Sequence, residues 1–273
     1  MVNLPPDSRR YLAMHKRRVC RPFHLRWLLP LTLRGNVQAW TWATRTAVVA
    51  IGLLTAVYTG SPWMAAVAFL PAMTWNWHNP VMVDMVGMAW SLATALAALE
   101  GWWWLAVPMA LVGGTIRETV PIWSAIYAWH PVLLVGLIPV AVRWVMRQGA
   151  DTWTDHNAFY VAHPIQAGQH FHKGRWRDPF LMVTPWAGLI AGVALLTPRA
   201  FNTGGVFDAG GGVQLAVALA AGYLPLLIAT DSVRIYQWAT PVMALATVAV
   251  LPAWALPLVA VSIVFNPWRG PGT

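Results

Sequence analysis

The stretch from Met64 to Tyr127 constrains this chain more than any other. Between Arg45 and Arg117 the only formal charges are Asp84 and Glu100, and nearly every other residue is apolar or small. A helix on a water-soluble core needs a polar face, and this block is too long and too uniformly apolar to supply one. A bilayer removes that need and penalises buried charge instead. The expected fold class is therefore all-α, a polytopic transmembrane helical bundle of about seven to nine crossings of roughly 20 residues each. Composition agrees, since 10% of residues are charged against roughly 25% in soluble domains.

Charge is unevenly spread. Residues 1–45 hold nine Lys/Arg against one acid, Asp7, whereas the rest of the chain is nearly neutral. A basic head beside an apolar block is read as meeting anionic lipid headgroups rather than nucleic acid. The nineteen Trp fit the membrane interface, where ring and N–H are both accommodated. Cys20 is the only cysteine, so no intrachain disulfide forms.

In order, residues 1–39 form the interfacial head, with an amphipathic stretch around 25–34 in which Leu alternates with Arg26, Arg34 and Pro30. Residues 40–142 form a first transmembrane bundle. Its spans are expected at 40–59, 80–99, 101–116 and 119–142, the last interrupted by Pro121, Pro131 and Pro139. The shorter run 62–78 reads as a re-entrant or half-helix ending in an interfacial turn at TWNWHN. Residues 143–179 are a polar loop with five basic residues, three Asp and four His. A second bundle, 180–273, has spans at 180–197 and 213–230 and a hairpin at 237–266 that bends near Pro252 and Pro257. Broken helices of this kind surround internal cavities. Basic residues favour the cytoplasmic side, which places the head, with the N-terminus, and the 143–179 loop together in the cytoplasm. Four crossings between them satisfy that placement.

The chemistry-bearing residues are those left in the apolar block. Asp84 lies in the first turns of a span, favoured there by the helix dipole or serving as a ligand for a cation or sugar hydroxyl. Arg117 and Glu118 fall in GGTIRETVP, where two Gly and Pro121 break the helix. They either cap two helix ends or hold a phosphate. Asp231 and Arg234, three apart, read as an ion pair at a span edge, or Arg234 as an anion ligand. His156, His163, His170 and His172 lack the spacing of a metal site, and no metal site is assigned. No Walker loop, dinucleotide fingerprint, nucleophile elbow or zincin motif is present.

The order of these features resembles the GT-C superfamily, integral-membrane glycosyltransferases that use polyprenyl-phosphate-linked sugars. The resemblance rests on Asp7 followed by Tyr11, and on Pro22, Phe23, Arg26, Pro30 and Leu31. It continues through the small-residue helix beginning at Pro80–Asp84, the Arg117–Glu118 step, and Arg234, Tyr236 and Pro241. It implies Asp7 as general base, with Asp84 and Glu118 as further catalytic carboxylates and Asp84 contacting metal or sugar. It also implies Arg26, Arg117 and Arg234 as lipid-phosphate contacts, with Tyr11 and His78 beside them, and a divalent cation such as Mg or Mn as cofactor. The family places its catalytic Asp outside, after a first transmembrane helix; here Asp7 precedes every expected span. The other readings of the same residues are a small transporter or channel subunit, its pathway lined by Asp84, Glu118 and Arg234, and a non-catalytic membrane scaffold.

Overall fold

A computed structural model describes residues 11–12, 26–146, 163, 166, 211–223 and 237–265. All described elements are helical, and no strand occurs among the described residues. One helix among them, Val37–Thr59, is long and apolar enough to cross a membrane. The chain divides into two compact units, Met1–Leu54 with Asn76–Trp153, and Thr55–Trp75 with Thr154–Thr273.

In the first unit a short helix α1 (Leu28–Leu33) closes with Arg34 in the left-handed region, φ 45°. It occupies the amphipathic stretch expected there. Asn36 then caps α2 (Val37–Thr59), its Oδ1 accepting from the Gln38 and Ala39 amides at 3.0 and 3.1 Å. On α2 the exposed residues Trp42, Thr46, Val49, Leu53 and Val57 recur every three or four positions, giving one continuous outward stripe. The helix α3 (Pro71–His78) occupies the place where an interfacial turn was expected. Pro71 at its first position needs no N–H partner and is already set to a helical φ, so the aromatic TWNWH run continues as helix.

Next, α4 (Asp84–Leu99) and α5 (Trp103–Ile116) form an antiparallel pair joined at Gly101, φ +77°. Residues 119–142 break where the prolines lie: α6 (Val120–Ala128) begins with Pro121, and a 3-10 turn (Pro131–Leu137) leads into α7 (Ile138–Met146). The reversal between them is made by Trp129 in the left-handed region, φ 50°, and His130, whose Nδ1 accepts from the Val132 amide. The His130 ring lies 4.5 Å from that of Trp103 at the start of α5, so the stretch from Arg117 to His130 runs back along α5 and the chain then returns. Small residues make the pair close-fitting. Ala97, Ala98, Ala106 and Ala110 form its core with Leu133, and a Cβ on Gly114 would collide with the Gly136 carbonyl.

In the second unit, α8 (Gly211–Tyr223) packs on a 3-10 turn (Gln237–Ala239) and on α9 (Thr240–Val250), whose residues from Thr240 to Thr247 are all buried. A bend at Leu251–Pro252 and a short 3-10 turn (Ala253–Ala255) lead to α10 (Leu256–Val264), which packs on the 3-10 segment Pro62–Phe69. The expected hairpin over 237–266 thus bends between its two prolines, but its arms pack on different neighbours, α9 mainly on α8 and α10 on Pro62–Phe69. The spans expected at 180–197 and after residue 223, most of the loop at 143–179, and the Asp231–Arg234 pair lie outside the described residues.

Candidate site: a paired ionic cluster at one end of the first unit

The N-terminus of α4, the C-terminus of α5 and the start of α6 all meet at one end of the first unit, because the chain reverses at each far-end turn. Three charged residues sit there. Asp84 opens α4 and is fully buried; the residues after α5, Arg117 and Glu118, form the link to α6. Arg117 is extended, φ −156° and ψ 139°. Successive side chains of an extended backbone point to opposite sides, so Arg117 and Glu118 turn away from each other to different partners. Arg117 pairs through Nη1 with Asp84 Oδ1. Glu118 receives Arg26 side-on, Nε donating to Oε2 at 2.8 Å and Nη2 to Oε1 at 2.5 Å. The remaining arm, Arg26 Nη1, donates to the Tyr11 hydroxyl at 2.8 Å, and the Tyr11 ring lies 5.9 Å from that of Trp40 on α2.

The cluster is neutral overall and nearly closed to solvent. Side-chain exposure is 9% for Arg26 and Arg117, zero for Asp84 and 24% for Glu118, which makes Glu118 the one member that opens outward. Burial alone would raise the Glu118 pKa, but the charge and hydrogen bonds of Arg26, with the nearby charge of Arg117, outweigh it and hold the carboxyl down at about 2. Burial likewise disfavours the Arg26 cation, and Glu118 and Tyr11 more than reverse that, leaving it firmly protonated. Asp84 gains further from the amide ends of α4. Glu118 is therefore an ionised acceptor at neutral pH, and the evident chemistry of both carboxylates is to orient arginines.

Five residues singled out from the sequence thus converge: Tyr11, Arg26, Asp84, Arg117 and Glu118. His78 does not join them; it ends α3, exposed. Asp7 and Arg234 lie outside the described residues. Among the described residues no group of three or more His, Cys, Asp or Glu is placed to hold a metal. Sequence reasoning missed Trp40, wholly buried behind Tyr11, and the stacking of Arg143 over Trp27 at 5.3 Å, which brings the end of α7 to the head. Their only signal was Trp content, which pointed to the interface in general.

No family model, no curated protein and no solved structure matches the chain.

Proposed function

We propose that the chain is a multi-pass membrane protein that binds a polyprenyl-phosphate-linked sugar at headgroup level and transfers it, as GT-C enzymes do, with Arg26 and Arg117 as the phosphate-binding cations. The observation that carries this reading is the convergence of Arg26 and Glu118, 92 residues apart, with Tyr11 and the Asp84–Arg117 pair at one end of a set of apolar helices. Large apolar side chains on the outside, among them Trp42, Leu53, Trp104, Val145, Met146 and Trp254, support bilayer embedding. The sixteen residues of α4 reach about 24 Å, so crossings in this unit require local thinning or flanking anchors. Seven to nine crossings remain the proposal for the whole chain.

In this reading Asp84 and Glu118 position the arginines, and Glu118, the outermost partner, yields Arg26 to an arriving phosphate. The base is Asp7. It lies four residues before Tyr11, so chain geometry keeps it within about 14 Å of that residue. Asp7 takes the acceptor hydroxyl proton, the hydroxyl oxygen attacks the anomeric carbon, and the bond to the phosphate oxygen breaks. The two arginines receive the charge left on the lipid phosphate.

The complete internal pairing of the four charges favours a second reading, an ionic staple in a non-catalytic scaffold. One assay separates the two. The full chain in nanodiscs is given a radiolabelled polyprenyl-phosphate sugar and a mixture of hydroxyl acceptors, alongside reporters fused at the N-terminus to fix its side. The transferase reading expects label transfer that is lost in Asp7→Asn and lowered in both kcat and affinity by Arg26→Lys. Absence of polyprenyl-phosphate binding by the unaltered chain would leave the staple.

A further inference from the structure

Every buried arginine of the cluster has a carboxylate, but Arg45 on α2 does not. The described carboxylates are Asp84, Glu100 and Glu118. Two of them are taken by Arg117 and Arg26, and Glu100 is exposed in the turn at the far end of the α4–α5 pair. No carboxylate among the described residues pairs with Arg45, and its Nε is buried with no hydrogen-bond partner. What it has is an aromatic face: its guanidinium carbon lies 5.1 Å from the centroid of Trp77 on α3. Such a stack attracts the cation from one side and leaves the in-plane N–H donors uncompensated.

Arg45 also sits at an unusual height. It is the ninth residue of α2, about 12 Å along the axis from Val37, in the one described helix able to span a bilayer. It lies between Trp42 and Val49 at the edge of the exposed apolar stripe and is itself half-buried. On the packed side the neighbouring Thr44 hydroxyl is occupied, donating to the Pro80 carbonyl. An arginine at that depth persists where an anion or the headgroup layer comes down to meet it. A planar guanidinium with free in-plane donors matches phosphate oxygens.

We propose that Arg45, backed by Trp77, is a binding site for the phosphate of an anionic lipid, separate from the Arg26–Glu118 cluster. The inference rests on α2 crossing the bilayer and is independent of the transferase reading. The test reconstitutes the full chain in phosphatidylcholine nanodiscs with a minor share of phosphatidylglycerol and counts retained lipid by native mass spectrometry. The expected result is one retained phosphatidylglycerol, with retention falling roughly fivefold to tenfold in Arg45→Gln, as loss of a charge-assisted contact implies. If that variant does not fold, Arg45→Lys and Trp77→Leu serve, each lowering retention by a smaller factor. Inorganic phosphate is then titrated. Unchanged lipid retention assigns the site to lipid, and competition at millimolar concentration assigns the same chemistry to free phosphate. Equal phosphatidylglycerol retention by the unaltered chain and all variants would overturn the site and leave Arg45 simply snorkelling. A reporter placed after Thr59 shows independently whether α2 crosses, so failure of the membrane premise is distinguishable from failure of the site.

Discussion

The two units differ in the charges they bury, since both also return hydroxyls to their own helices, as Ser91, Thr94 and Ser124 do in the first. In the first, full charges join distant parts of the chain: Arg26 to Glu118 across 92 residues, Arg117 to Asp84, and Arg26 to Tyr11. In the second, the described buried polar groups are neutral and mostly bond to their own helix. The Thr240 hydroxyl donates to the Gln237 carbonyl and Thr247 to that of Met243, while Gln214 donates over a longer range to Tyr58 at 3.4 Å. A buried charge is costly alone and specific when paired, whereas a hydroxyl returned to its own helix costs little and specifies little. The first unit is therefore joined by ion pairs at one end, and the described part of the second is held mainly by apolar packing.

Removing one charge should break the contrast most sharply. Arg117→Ala strands the buried Asp84 carboxylate and is expected to destabilise the chain by ~3–5 kcal/mol in thermal or denaturant unfolding in detergent. The pair Asp84→Leu with Arg117→Met should recover most of that loss. A cost below ~1 kcal/mol for Arg117→Ala alone would mean that water reaches the pair. Next, Glu118→Gln leaves Arg26 without its anion and should cost ~1–3 kcal/mol.

Acid tests the same residue. Its folded pKa is depressed to about 2, below the ordinary value of about 4.3. Its contribution is present above the ordinary value and lost as pH falls through 2. Unfolding midpoints of the unaltered chain should fall across that window, and Glu118→Gln should flatten this part of the profile.

Smaller effects belong to the second unit. Tyr58→Phe, which removes the Gln214 contact, should cost ~0.6 kcal/mol, the usual scale of hydrogen bonds between helices in lipid, with no added acid sensitivity. Thr247→Val should be nearly silent, within ~0.5 kcal/mol. A large loss there would show that the second unit also depends on a polar connection.

The importance of Asp84, Arg117 and Glu118 was legible because an apolar block makes each charge conspicuous. Their partners were not. Adjacent in sequence, Arg117 and Glu118 read as one unit that caps two helix ends or holds a phosphate, and only the extended backbone at Arg117 shows that they serve separate partners. Arg26 was picked out, but nothing local in the sequence connects it to Glu118. Helix positions were legible where prolines and the periodicity of apolar residues agreed, as at Pro121 and Pro131. At TWNWHN the aromatic, polar-looking end of the 62–78 run read as a turn, whereas the helix that Pro71 starts continues to His78.

The tight meeting of Gly114 with Gly136 has a mechanical consequence. With no room for even one methyl between those backbones, α5 and the returning segment after His130 meet in direct backbone contact, and any side chain larger than hydrogen at Gly114 or Gly136 would force them apart. Under the proposed function, admission of a bulky headgroup to the ionic end falls to the Arg26–Glu118 contact, whose Glu118 is the one member of the cluster that opens outward.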